Sequence, residues 1–276
     1  MRRALIVALS TALISACATS PTGRSQLMLI SPEAAISESR QAYVSTVTEL
    51  NQSHKLITDK AWVQRISTIT GRLVTEAIKT QPASADWQWS VAIIDDPDTL
   101  NAWCMAGGRM AIYSGIVTKL QLTDDEIAQI MGHEISHALA NHTAEQMSRA
   151  VLMNAGLSVA SQVTDNNGLV LNGTAIAAQL ALQLPNSRTA ESEADRIGIE
   201  LAARAGYNPS AAVSLWNKMS ASGNGSTPQF LSTHPSPENR SKTLQSLGAE
   251  MRALNPGLTK AKVYPVKIIT DVAQLK

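Results

Sequence analysis

HEISH, residues 133–137, places two histidines four residues apart with a glutamate beside the first. On a helix, side chains at i and i+4 lie on one face roughly 6 Å apart, so His133 and His137 can bind one metal ion. Glu134 is turned away by about a third of a turn, too far round to join them but within reach of a water held at the same point. Two imidazoles, an open position and a carboxylate base form the working parts of a zinc peptidase. The alternative is a helix that carries two partly buried, hydrogen-bonded histidines. The surroundings favour a buried, well-started helix. Thr123 and Glu126 form a capping box, the acids at 124–126 suit the positive end of the helix dipole, and Ile127, Ile130, Met131, Ile135, Ala138 and Leu139 recur at helical spacing. This pattern predicts one helix running to about Arg149.

A site of this kind needs a third protein ligand, and RTAESEADRIGIELAARAG at 188–206 offers one. It reads as an amphipathic helix closed by Gly206 at a C′ position. Glu191 and Asp195 share a face while Glu193 points elsewhere. One carboxylate can face the metal, and the other can hold a ligating imidazole by its far ring nitrogen. Taken alone, the pair better suits a solvated charged face; beside the HEISH helix it gains its meaning.

HEISHALANH, then ESEADRIG, then THPSPENR at 233–240 resemble the zinc metallopeptidases that include the CAAX prenyl-protein protease and the HtpX heat-shock protease. Within them the chain is most similar to the periplasmic lipoprotein branch, LoiP- and BepA-like. PTGRSQLMLI near the start and NAWCMAGGRMAIYSGIV at 101–117 belong to the same likeness. The resemblance implies a gluzincin-type α+β domain, mainly helical, with a small sheet beside the HExxH helix. It implies one Zn2+ per chain on His133, His137 and Glu191, Glu134 as general base, and Asp195 behind a ligating imidazole. His234 is implied to reach the site, either steadying the oxyanion or occupying the open metal position at rest, and Arg240 matches the family's arginine after that His-Pro. Ala106 departs from the proline the family often places before its Gly-Gly. The region between the two helices is variable in the family, so substrate preference does not transfer.

The rest of the composition is consistent with this reading. A chain of 276 residues with 44% hydrophobic and 16% charged residues can bury a sizeable core and is not of the disordered type. Its formal charge is +1; without Arg2 and Arg3 it has 21 basic and 22 acidic residues, or −1. No basic cluster suggests a nucleic-acid partner. Residues 1–16 read as a lipoprotein signal peptide: MRR is a charged start, the apolar run is too short to span a bilayer, and Leu13-Ile14-Ser15-Ala16 precedes Cys17. Cys17 is the expected lipidation site, 17–30 a lipidated polar tether, and 31–276 the catalytic domain. An ordinary secretory signal is the alternative. Ala18, where Asp would favour the inner membrane, directs the expectation to the periplasmic face of the outer membrane of a Gram-negative bacterium. With Cys17 modified, Cys104 is the remaining thiol, read as a small buried hydrophobe.

Helices are expected over about 32–50, capped by Ser31 with Pro32 in the first turn, and over 59–80; another should follow Asn208-Pro209 to about Ala221. Strands are expected over 87–95, 101–105 and Arg109–Tyr113, with strand character again at 262–274, where Pro265 argues against a central place. Arg109, Met110, Ala111, Ile112 and Tyr113 are the candidate edge strand for binding substrate backbone; an internal hairpin strand is the alternative. The sparsely charged stretch 150–187 reads as a buried helical hairpin or as a cover over the cleft. The expected function is a membrane-anchored zinc endopeptidase acting on protein or peptide substrates, such as misfolded outer-membrane proteins. A non-enzymatic holdase or outer-membrane assembly factor with a structural or permanently capped zinc is the competing class.

Overall fold

The computed structural model describes residues 17–162, 186–222, 228–235 and 239–275, so the signal-peptide reading, most of the 222–228 loop and Pro237 lie outside the described residues. The chain opens with a hairpin of β1 (Cys17–Thr19) and β2 (Ser25–Leu27). Helices α1 (Pro32–Gln52) and α2 (Lys60–Thr80) follow, capped by Ser31 and Asp59 as their sequences suggest. Strands β3 (Ser90–Ile94), β4 (Ala102–Met105) and β5 (Arg109–Tyr113) come next, then the short α3 (Ser114–Lys119). The motif helix is α4 (Asp124–Leu139), started by the predicted Thr123–Glu126 capping box. Helices α5 (His142–Gln162), α6 (Arg188–Arg204), α7 (Ala211–Ala221), α8 (Gln229–Thr233) and α9 (Arg240–Arg252) follow, and β6 (Lys267–Ile269) returns to the sheet. The fold is α+β and mainly helical, as expected.

The sheet runs β4-β5-β3-β6, with β5 and β6 both parallel to β3 and β4 antiparallel to β5. Alternation along β5 sends Met110 and Ile112 into the larger core with α2 and α4, while Ala111 faces Tyr43, Ala42 and Val47 of α1. Among the described residues no helix is long and apolar enough to cross a membrane.

Several expectations need correction. Arg109–Tyr113 is internal, hydrogen-bonded on both sides, so it cannot accept a substrate strand; the edge strand packed on the motif helix is β4. The motif helix does not continue to Arg149. Asn141 adopts a left-handed φ of 54°, ending α4 at Leu139 and starting α5 in a new direction. Residues 17–30 are not a loose tether, because the β1–β2 hairpin is docked by ion pairs from Arg24 to Glu145 and Glu193. The predicted buried hairpin at 150–187 falls mostly outside the described residues, and Val151, Leu152 and Met153 on α5 are exposed. Pro265 precedes an edge strand, β6, as its missing N–H requires.

Candidate metal centre

Helices α4 and α6 approach through two glycines. A Cβ on Gly132 would lie 2.8 Å from the Gly198 carbonyl oxygen, and one on Gly198 would lie 2.7 Å from the His133 nitrogen. Only backbone without side chain permits this contact. It sets Glu191, two turns before Gly198, opposite the two histidines of α4, and Asp195 opposite His133. Gly206, with φ of 90°, ends α6 as predicted.

His133, His137, Glu191 and His234 are all buried, and each offers a ligand atom within 4.8 Å of the others. His133 Nε2 lies 3.1 Å from His137 Nε2, 3.2 Å from His234 Nδ1 and 3.3 Å from Glu191 Oε2; Glu191 Oε1 lies 3.5 Å from His137 Nε2 and 3.1 Å from His234 Nδ1. Tetrahedral bonds of about 2.0–2.1 Å give donor-to-donor edges of about 3.3–3.4 Å, close to the three separations from His133 Nε2, so these imidazoles and carboxylate suit a zinc ion. Glu191 Oε2, buried without a hydrogen-bond partner, is consistent with a bound cation.

Each imidazole of α4 is braced from behind. His133 Nδ1 is 3.1 Å from Asp195 Oδ1, and Arg240 Nη2 donates to the same oxygen at 2.6 Å while its guanidinium lies 3.4 Å over the Trp216 ring. When Nε2 serves as a ligand, Nδ1 carries the proton and donates to Asp195. His137 has its own support, which sequence reading missed. His137 Nδ1 is 2.8 Å from His142 Nδ1, His142 Nε2 is 3.1 Å from Glu193 Oε2, and Arg24 Nε donates to that oxygen at 2.9 Å. Arg24 also pairs with Glu145 at 2.6 Å. Glu193 does point away from the metal donors, as predicted, yet it is buried and anchors this chain. The available signal was Asn141: a residue tolerant of left-handed φ, four positions from the end of a histidine motif, brings His142 back over His137.

Residues 62–247 match the description of peptidase family M48. The chain belongs to that family. It is 31% identical to the bovine mitochondrial metalloendopeptidase OMA1 over 238 residues, covering 82% of this chain and 45% of that protein. It is 31% identical to Arabidopsis thaliana mitochondrial metalloendopeptidase OMA1 over 210 residues, 76% of this chain and 41% of that one. The beta-barrel assembly-enhancing protease of Escherichia coli K12 is 28% identical over 218 residues, 75% of this chain and 43% of that one. The chain thus spans less than half the length of these curated relatives.

In this M48 site Glu134 stands beside the four donors, with Oε1 3.4 Å from His234 Nε2 and without a hydrogen-bond partner. Burial raises its pKa above the usual carboxylate value, while the His234 and His133 charges and the Cys104 amide oppose the rise. A raised carboxylate is better matched to proton transfer near neutral pH. Burial pulls His133 down, but its hydrogen bonds to Asp195 and Glu191 outweigh that and hold its pKa at about 9, so a metal must displace a proton there. Burial keeps His137 well below the ordinary imidazole value and hence neutral. Glu191 resists its burial because His234 and His133 hold it well below the usual range. Cys104 is buried as predicted, its thiol raised by burial and by Glu134. A cavity of about 30 Å³ between Glu134, His234 and His142 is water-sized.

Proposed function

We propose that this chain is a zinc-dependent endopeptidase whose resting site is closed by His234. The observation that carries the reading is the donor set itself. His133, His137, Glu191 and His234 offer ligand atoms within 4.8 Å of one another, and Glu134 lies beside them, free to act as a base. When bound, zinc supplies a Lewis acid that polarises the scissile carbonyl and acidifies the attacking water. Glu134 takes the proton of that water and passes it to the leaving amine. Asp195, with Arg240 behind it, fixes the tautomer of His133; His142 and Glu193 do the same for His137. β4, the edge strand on the motif helix, replaces β5 as the segment that can add a substrate strand.

The LoiP/BepA-like placement, lipidation at Cys17, attachment to the periplasmic face of the outer membrane and a role in envelope protein quality control belong to the same proposal. They rest on the LISAC box and on the likeness to the beta-barrel assembly-enhancing proteases. Zinc content, casein cleavage with and without chelator, and palmitate labelling of the wild type and Cys17→Ser test it. Absence of chelator-sensitive cleavage refutes the enzyme, and absence of label refutes the anchor. One observation favours the holdase reading: His234 already completes four protein donors, as structural zinc sites do. Casein cleavage by His234→Ala but not by wild type would identify a permanently capped site.

A further inference from the structure

On the face of the sheet away from the motif helix lies a cavity of about 290 Å³. Arg40, Arg109 and Lys267 line it, together with Trp87, Trp89 and Tyr264, and among the described residues no Asp or Glu does. Arg109 is the decisive group. It starts β5, on the side that Ala111 presents to α1, and is only 6% exposed. Its guanidinium donates from Nη2 to the neutral Gln88 Oε1, at 2.6 Å. Burial, and after it the positive charge of Arg40, hold its guanidinium below the usual value, against a smaller opposing pull from Tyr43 and Cys104. A buried cation beside a second cation is expensive unless an anion completes the arrangement. Lys267 adds a third positive charge, which donates from Nζ to a backbone carbonyl, that of Gln274, at 2.6 Å.

The walls define the rest of the ligand. Trp87 and Trp89 pack with ring centroids 5.2 Å apart, and Trp89 is fixed by its indole N–H on Ser84 O at 2.9 Å. Gly108 leaves room for that ring, since a Cβ there would meet it at 2.4 Å. A planar guanidinium fork suits a carboxylate, and rigid aromatic walls suit an apolar body. The volume takes one amino-acid-sized group. We propose that this cavity is a second binding site, separate from the metal centre, for an organic carboxylate bearing an aromatic or branched apolar group. Free acids and the C-terminal residue of a polypeptide share that chemistry.

Calorimetric titration of the zinc-loaded full chain with N-acetyl-phenylalanine tests this, with N-acetyl-phenylalaninamide and inorganic phosphate as comparisons. The acid should bind at least tenfold more tightly than the amide, and both Arg109→Gln and Arg40→Gln should weaken it tenfold or more. Arg40 is exposed, so its variant keeps the fold and separates lost binding from lost structure. Glu134→Gln should bind the acid as wild type does. A hexapeptide ending in phenylalanine with a free carboxylate distinguishes the sources: tighter binding than the acid identifies polypeptide ends, weaker binding identifies free acids. Equal binding of the amide, an unaffected Arg40 variant, tighter binding of phosphate, or no saturable binding would each overturn the proposal.

Discussion

Gly198→Ala tests whether the close approach of α4 and α6 builds the metal centre. The added Cβ would sit 2.7 Å from the His133 nitrogen and 2.9 Å from its Cα, whereas ordinary contact begins near 3.4 Å. The obstacle is backbone on both sides, so the helices must separate by about 0.7 Å at that point. Metal–donor distances tolerate only about 0.2 Å of error. Glu191 and Asp195 ride on the displaced helix, so the zinc affinity should fall roughly tenfold or more. Overpacking of this kind costs about 1–3 kcal/mol, which corresponds to a Tm lower by about 2–10 °C in the zinc-free protein. Chelator competition measures the first effect and calorimetry of the stripped protein the second. Gly257→Ala is the control, since its Cβ would meet nothing nearer than Thr259 Oγ1 at 3.7 Å. Zinc affinity within twofold of wild type, with Tm changed by less than about 1 °C, would refute the reasoning.

Glu134→Gln should keep zinc and lose nearly all peptide cleavage, because the base is outside the donor set; turnover near wild type in a peptide assay removes it from the mechanism. His234→Ala should raise basal cleavage, self-cleavage included, if it closes the site; a ten- to thousandfold fall in kcat with zinc retained would instead assign it to the oxyanion. Glu193→Gln should weaken zinc roughly 10–100-fold by loosening His142 behind His137, read by chelator competition; an unchanged titration makes that chain structural only. The N-terminal hairpin should undock in acid. Hydrogen bonds from Arg24, Gln26 and Arg149 overcome burial and lower Glu145 from 4.5 to about 2, so its contribution is full above about pH 4.5 and lost as pH falls toward 2. Hydrogen exchange of the β1–β2 amides in zinc-free protein, slow near pH 6 and fast near pH 2.5 after correction for intrinsic rates, checks it.

Local chemistry was legible in the sequence and long-range arrangement was not. The Thr123–Glu126 box, the Ser31-Pro32 start and the Gly206 stop are each decided by residues within one turn, and each stands where its pattern puts it. The convergence of Glu191 and Asp195 on His133 was legible because one helical face must carry both. Whether Arg109–Tyr113 or Ala102–Met105 is the edge depends on β3 pairing with β5, which no local pattern encodes. The end of α4 was missed because Asn141 enters the left-handed region at little cost and leaves the apolar period intact on either side. The brace behind His137 joins Arg24, Glu145 and Glu193, residues far apart in sequence, so Glu193 read alone gave only its direction, not its partners.

The four donors are not held alike, and this favours His234 as the exchangeable one. His133 and His137 ride on a sixteen-residue helix, each with its second ring nitrogen engaged. Glu191 lies on a helix locked against the first by glycine contact. His234 instead follows α8, a five-residue helix, and its support is its own N–H on Phe230 O at 2.9 Å and stacking of its ring on Phe230 at 4.3 Å. That helix is tied outward by Phe230 N–H on Leu100 O at 3.0 Å and by Asn186 N–H on Thr233 O at 2.9 Å, single bonds of about 0.5–1.5 kcal/mol each. The space beside Glu134 is water-sized, so release of His234 would make room there for a peptide. Leu100 stands two residues before the edge strand β4, so a substrate strand added there would press on the same contact that seats α8. Binding along β4 and release of His234 would then be one event, and a substrate too short to lie along that edge should be cleaved poorly by wild type but well by His234→Ala.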